Sequence, residues 1–72
     1  MEEKIIEIVA KVLKKDPASI TRNTKMSDVK EWDSLAQVMI LAEIEETLGL
    51  YIPIDKSFGI EDVAGLLSAV EK

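Results

Sequence analysis

Neither cysteine nor histidine occurs in this chain. Disulfides and Cys/His metal sites are therefore excluded, and packing alone must hold the fold together. The constraint is severe, because a chain of 72 residues lies near the lower limit for a self-sufficient core. The means are present, since 47% of the residues are apolar. The same absence removes thiolate and imidazole chemistry, and with it Ser-His and Cys-His relays. No apolar stretch approaches transmembrane length, and the opening "MEEKIIEIVAKVLKK" is amphipathic rather than a signal peptide. The expectation is one domain spanning residues 1–72, cytoplasmic and without stable membrane insertion.

The apolar residues recur at helical rather than strand spacing. Over residues 2–14, Ile5, Ile6, Val9, Val12 and Leu13 alternate with Lys and Glu in a helical period. Acids lead this segment and Lys14-Lys15 close it, which suits the helix dipole. Asp16-Pro17 stops it, because the residue before a proline is pushed out of the helical region. Residues 16–33, "DPASITRNTKMSDVKEWD", show no sustained period. Ile20, Met26, Val29 and Trp32 are expected to pin this long connection to the helices, with a single helical turn near Pro17–Ile20. Residues 34–48 form a second helix, which Gly49 terminates. A short extended link leads to a brief third helix through about Phe58. The last helix runs from about Ile60, with Ile60, Val63, Leu66, Leu67 and Val70 on one side. The expected fold is all-α: a small four-helix bundle of three main helices and one short one, with a long first loop.

Charge is unevenly spread. Residues 1–30 carry seven basic and five acidic side chains, a net of +2, whereas residues 31–72 carry two basic and nine acidic, a net of −7. Between Glu31 and Asp55 there are six acids and no base. Such a half repels phosphate backbones, which argues against nucleic-acid binding, and steers basic protein surfaces towards it. A solvated acidic face that keeps a small protein dispersed would look the same.

The second helix has one apolar stripe too many. Ile40, Leu41, Ile44 and Leu48 cluster on one side, while Leu35, Val38, Met39 and Ala42 lie on roughly the opposite side, bordered by Glu45 and Glu46. Either the helix is buried on both sides or the second stripe is an exposed strip edged with carboxylates, the usual form of a protein-interaction surface. At its start, Ser34 and Gln37 fit an S-x-x-Q capping box, though Asp33 could equally be the cap and leave the Ser34 hydroxyl free. A catalytic serine would need a base and an oxyanion hole, and no histidine, G-x-S-x-G elbow or Ser-x-x-Lys pair attends Ser34. A serine modified by another enzyme needs only exposure, a helix terminus that favours a phosphate, and a surface to grip.

With these residues in place, "WDSLAQVMILAEIEETLGLYIPID" resembles the central motif and second helix of acyl carrier proteins. The likeness covers nearly the whole chain, since the first helix, long loop, Asp-Ser-Leu, Glu-Glu, "IPID" and final helix follow in the family's order. The resemblance implies that Ser34 receives 4′-phosphopantetheine from coenzyme A and is flanked by Asp33 and Leu35. It implies that Leu35, Val38, Met39, Ala42, Glu45 and Glu46 form the face read by partner enzymes. Ile44, Leu48 and Phe58 would join the first and last helices in a core around a fatty chain or beside it. The implied function is a non-enzymatic carrier, working as a monomer, that holds acyl or aminoacyl groups as thioesters. Its partners would be a phosphopantetheinyl transferase, a loading ligase and downstream transferases. Two places depart from the fatty-acid-synthesis pattern. Ala36-Gln37 and Met39 stand where those carriers place acids, and Glu31-Trp32 replaces small residues before the motif. Trp32 reads as either a loop anchor or a partner contact. Against the carrier stands an unmodified acidic interaction domain in which Ser34 is only a cap.

Overall fold

The computed structural model describes residues 2–71, with the side chains of Ile54 and Glu71 left aside. Helix α1 spans Glu2–Leu13 and buries Ile5, Ile8, Val9, Ala10 and Leu13. It ends one residue before the expected boundary, for a reason local to the backbone. Lys14 turns to a φ of 59°, its amide donates to the Lys11 carbonyl at 3.3 Å, and the Lys15 amide donates to the Ala10 carbonyl at 2.9 Å. This is a Schellman closure with lysine where glycine is usual. Asp16 is extended, as its proline neighbour demands, and its carboxylate accepts the Ala18 amide at the head of a 3-10 turn, Pro17–Ser19.

Residues 14–33 are held by both apolar and polar means. Ile20 and Trp32 are buried, while Met26 and Val29 are half-buried against the same core, as expected of the pinning residues. Short polar side chains serve nearby amides: Thr24 Oγ1 accepts from the Thr21 amide at 2.9 Å, and Thr21 Oγ1 from that of Asn23 at 3.1 Å. A second 3-10 turn, Met26–Asp28, was not apparent in the sequence pattern. Beside it Lys25 and Asp62 form an isolated antiparallel bridge. Among the described residues there is no strand.

Helix α2 spans Ser34–Leu48, as expected, and closes on Gly49, whose φ of 69° suits a residue without Cβ. Helix α3 is a single turn, Ile54–Ser57. Helix α4 spans Val63–Glu71, so it begins three residues later than its apolar period suggested. The backbone before it is engaged elsewhere, with the Glu61 carbonyl accepting from the Met26 amide at 2.7 Å. The four amides at the head of α4 are all satisfied. Val63 and Ala64 donate to the loop carbonyls of Thr24 and Arg22, Leu66 to the Asp62 carbonyl, and Gly65 to the Asp62 carboxylate. Long-range backbone bonding of this kind leaves no trace in side-chain periodicity.

The core lies where α1 packs on both α2 and α4. Its centre is Ile5 and Val9 from α1, Ile40 and Ile44 from α2, and Val63 and Leu66 from α4, all fully buried. Leu48 is half-buried at its edge. Phe58 corrects the expectation. The resemblance implies a place in the core, and Phe58 is instead 80% exposed, at the end of the single turn of α3.

Candidate functional site

Asp33 is extended and its Oδ1 accepts the Ala36 amide at 2.9 Å, which makes it the cap of α2. Ser34 is therefore the first helical residue. It is exposed, and its hydroxyl has no hydrogen-bond partner among the described residues. The capping box with Gln37 is not formed, because Gln37 turns inward. Its Oε1 accepts from the Trp32 indole N–H at 2.8 Å and its Nε2 donates to the Ser57 carbonyl at 3.2 Å. Trp32 is 2% exposed, so it is a loop anchor. No buried side-chain nitrogen or oxygen among the described residues lacks a partner.

The two stripes of α2 separate cleanly. Ala36, Gln37, Ile40, Leu41 and Ile44 face the core. Leu35 is 69% exposed, Met39 47% and Val38 45%, with Ala42, Glu45 and Glu46 exposed alongside them. The alternative of a helix buried on both sides is thereby set aside. Glu43, at the border, is paired with Lys11 at 2.8 Å, and that hydrogen bond is the main reason the lysine pKa is raised. Glu45 and Glu46 have no ion-pair partner among the described residues, so their charge is presented to solvent. Near the cap, Glu31 lies 3.2 Å from Lys15. Its carboxyl is held below the usual range first by a backbone hydrogen bond at Glu31 itself, then by Lys15.

A groove of about 260 Å³ opens beside Ser34. Val38 and Gln37 line it from α2, Ser57, Phe58 and Ile60 from α3 and the residues after it, and Met26 and Glu61 from the loop and its partner segment. Phe58, Gln37 and Glu61 belong to this site and were not assigned to it from the sequence. Gln37 carried a usable signal, an amide on the buried side of an amphipathic helix. Phe58 carried none, because so short a helix has no register to show which side it faces.

The two ends of α2 and α4 differ in a way that matters for anions. The first four amides of α4 are all engaged, whereas those of Ser34 and Leu35 have no partner among the described residues. Unengaged amides at a helix N-terminus favour a phosphate, and the adjacent serine is the atom to which one could be joined. The exposed hydroxyl, those amides and the apolar strip fit a residue bearing a phosphodiester-linked group. Among the described residues no cluster of acidic side chains could hold a metal, and no helix is long and apolar enough to cross a membrane.

The family model described as the phosphopantetheine attachment site matches residues 3–70. Acyl carrier proteins of Rickettsia typhi and Rickettsia prowazekii are each 33% identical to the chain over all 72 of its residues, which span 84% of each relative. That of Rickettsia canadensis is 32% identical over the same share of both chains. Such carriers work by meeting modifying and biosynthetic enzymes. The chain therefore belongs to the acyl carrier proteins, and it is a carrier bearing a covalent 4′-phosphopantetheine arm, not an enzyme.

Proposed function

We propose that Ser34 bears the arm and that the strip beside it is the docking face. The observation that carries this reading is the division of labour at the head of α2. Asp33 caps the helix, which leaves the neighbouring Ser34 hydroxyl exposed and unengaged. Ser19, Ser27 and Ser68 are exposed as well, but the first two lie within 3-10 turns and the third inside α4, none at the head of a helix capped by its neighbour. Ser19 Oγ, moreover, donates to the Asp16 carbonyl at 2.7 Å.

Modification forms a bond from Ser34 Oγ to the phosphorus of the pantetheine phosphate in coenzyme A and breaks the bond to the nucleotide phosphate, which departs with its electron pair. The serine proton goes to a base on the transferase. Asp33 is committed to the cap, and the chain has no histidine to take it. Once attached, the arm supplies the thiol on which an acyl or aminoacyl group is held as a thioester. The residues of this chain then do three things. Ser34 tethers the cargo and so raises its effective concentration at each partner. Leu35, Val38, Met39 and Ala42 offer an apolar surface to bury on docking. Asp33, Glu45 and Glu46 draw in the basic surfaces of a phosphopantetheinyl transferase, a loading ligase and downstream transferases.

Incubation with coenzyme A and a broad-specificity phosphopantetheinyl transferase, read by intact mass, tests the attachment. The expected result is one added phosphopantetheine on the parent and none on Ser34→Ala. An arm added equally well to Ser34→Ala would overturn the assignment.

A further inference from the structure

A group carried on Ser34 would lie beside the groove that this serine lines together with residues of α2, α3 and the segment after it. Met26, Val38, Phe58 and Ile60 give this groove an apolar lining, to which the buried Gln37 and Ser57 add polar groups. Gln37 is buried and joins three separate segments: its own helix α2, the Trp32 indole at 2.8 Å, and the Ser57 carbonyl of α3 at 3.2 Å. One and two turns further along the same face come Ile40 and Ile44, both fully buried. An alkyl chain following the α2–α3 seam from Ser34 to these residues would have to displace Gln37. It would break both bonds and leave the Trp32 indole N–H without an acceptor in an apolar setting, and the chain could offer nothing in return.

We infer that the Trp32–Gln37–Ser57 bridge closes the interior to the carried group, and that Gln37 is the residue that sets this limit. The cargo then rests in the outer groove and is a short acyl chain. The groove's volume of about 260 Å³ compares with the ~150 Å³ of a cavity that holds one benzene ring. Phe58, 80% exposed on the wall, gains by covering such a chain, since apolar area leaves water on both sides of the contact. The inference rests on Ser34 bearing the arm.

The chain has a single tryptophan, so its indole N–H gives one resonance in a proton–nitrogen correlation spectrum and reports directly on the bridge. The parent is loaded from butyryl- and octanoyl-coenzyme A, and the added mass is verified before each spectrum. The indole signal and the Ile40 and Ile44 amides are expected to stay in place with both cargoes, while signals of Val38 and Phe58 move. In Gln37→Leu, octanoyl loading is expected to move the Ile40 and Ile44 amides. An indole signal that shifts progressively with chain length in mass-verified parent overturns the closure alone. A Gln37→Leu protein whose core amides ignore the octanoyl group overturns the role of Gln37. Added mass that persists in Ser34→Ala overturns the Ser34 assignment and the closure with it.

Discussion

Replacing Ser34 by alanine should silence the carrier while hardly disturbing the fold. The hydroxyl makes no hydrogen bond among the described residues, so Ser34→Ala is expected to change stability by no more than about 0.5 kcal/mol in urea unfolding. Asp33→Ala removes the bond to the Ala36 amide and should cost about 1 kcal/mol, the usual worth of a helix cap. An equal and large loss in both variants would show that Ser34 shares the capping. From the sequence, Asp33 and Ser34 were interchangeable as caps, since either side chain reaches the third amide of the helix. Only the backbone of Asp33, extended at φ −104° and ψ −170°, decides between them. What Gln37 bonds to was hidden for a similar reason. Its partners, Trp32 and Ser57, come from a loop and a one-turn helix whose packing no periodic pattern encodes.

The helices themselves were legible where apolar residues recur over several turns. The two apolar stripes of α2 and its end at Gly49 follow from side-chain spacing and one glycine, whereas the exposure of the second stripe is seen only in the structure. The exposed face has a kinetic consequence. Glu45→Lys together with Glu46→Lys should lower the association rate of the transferase, with the penalty shrinking as salt rises. Unchanged rates at low ionic strength would remove these acids from docking. Helix α1 carries a different expectation. Lys14 holds a positive φ that costs a residue with a Cβ roughly 1 kcal/mol relative to glycine. Lys14→Gly should therefore raise the denaturation midpoint, by about 1 kcal/mol in stability, without affecting modification. The late start of α4 was not legible, because it depends on Thr24 and Arg22 carbonyls distant in sequence.

The whole molecule separates support from function. α1 and α4 give Ile5, Val9, Val63 and Leu66 to the core, and the first loop is stapled to the head of α4 by backbone hydrogen bonds. α2 is thus held on one side, with its other face and its N-terminus exposed. The acidic half of the chain, net −7 over residues 31–72, includes that face. If that face is the docking face proposed above, its charge serves recognition as well as dispersal. The most direct test is to digest the protein after transferase treatment and locate the added mass by peptide fragmentation. The chain holds five serines, at positions 19, 27, 34, 57 and 68. The account predicts that the phosphopantetheine resides on Ser34 alone. An arm found on Ser19, Ser27 or Ser68, with Ser34 unmodified, would contradict it.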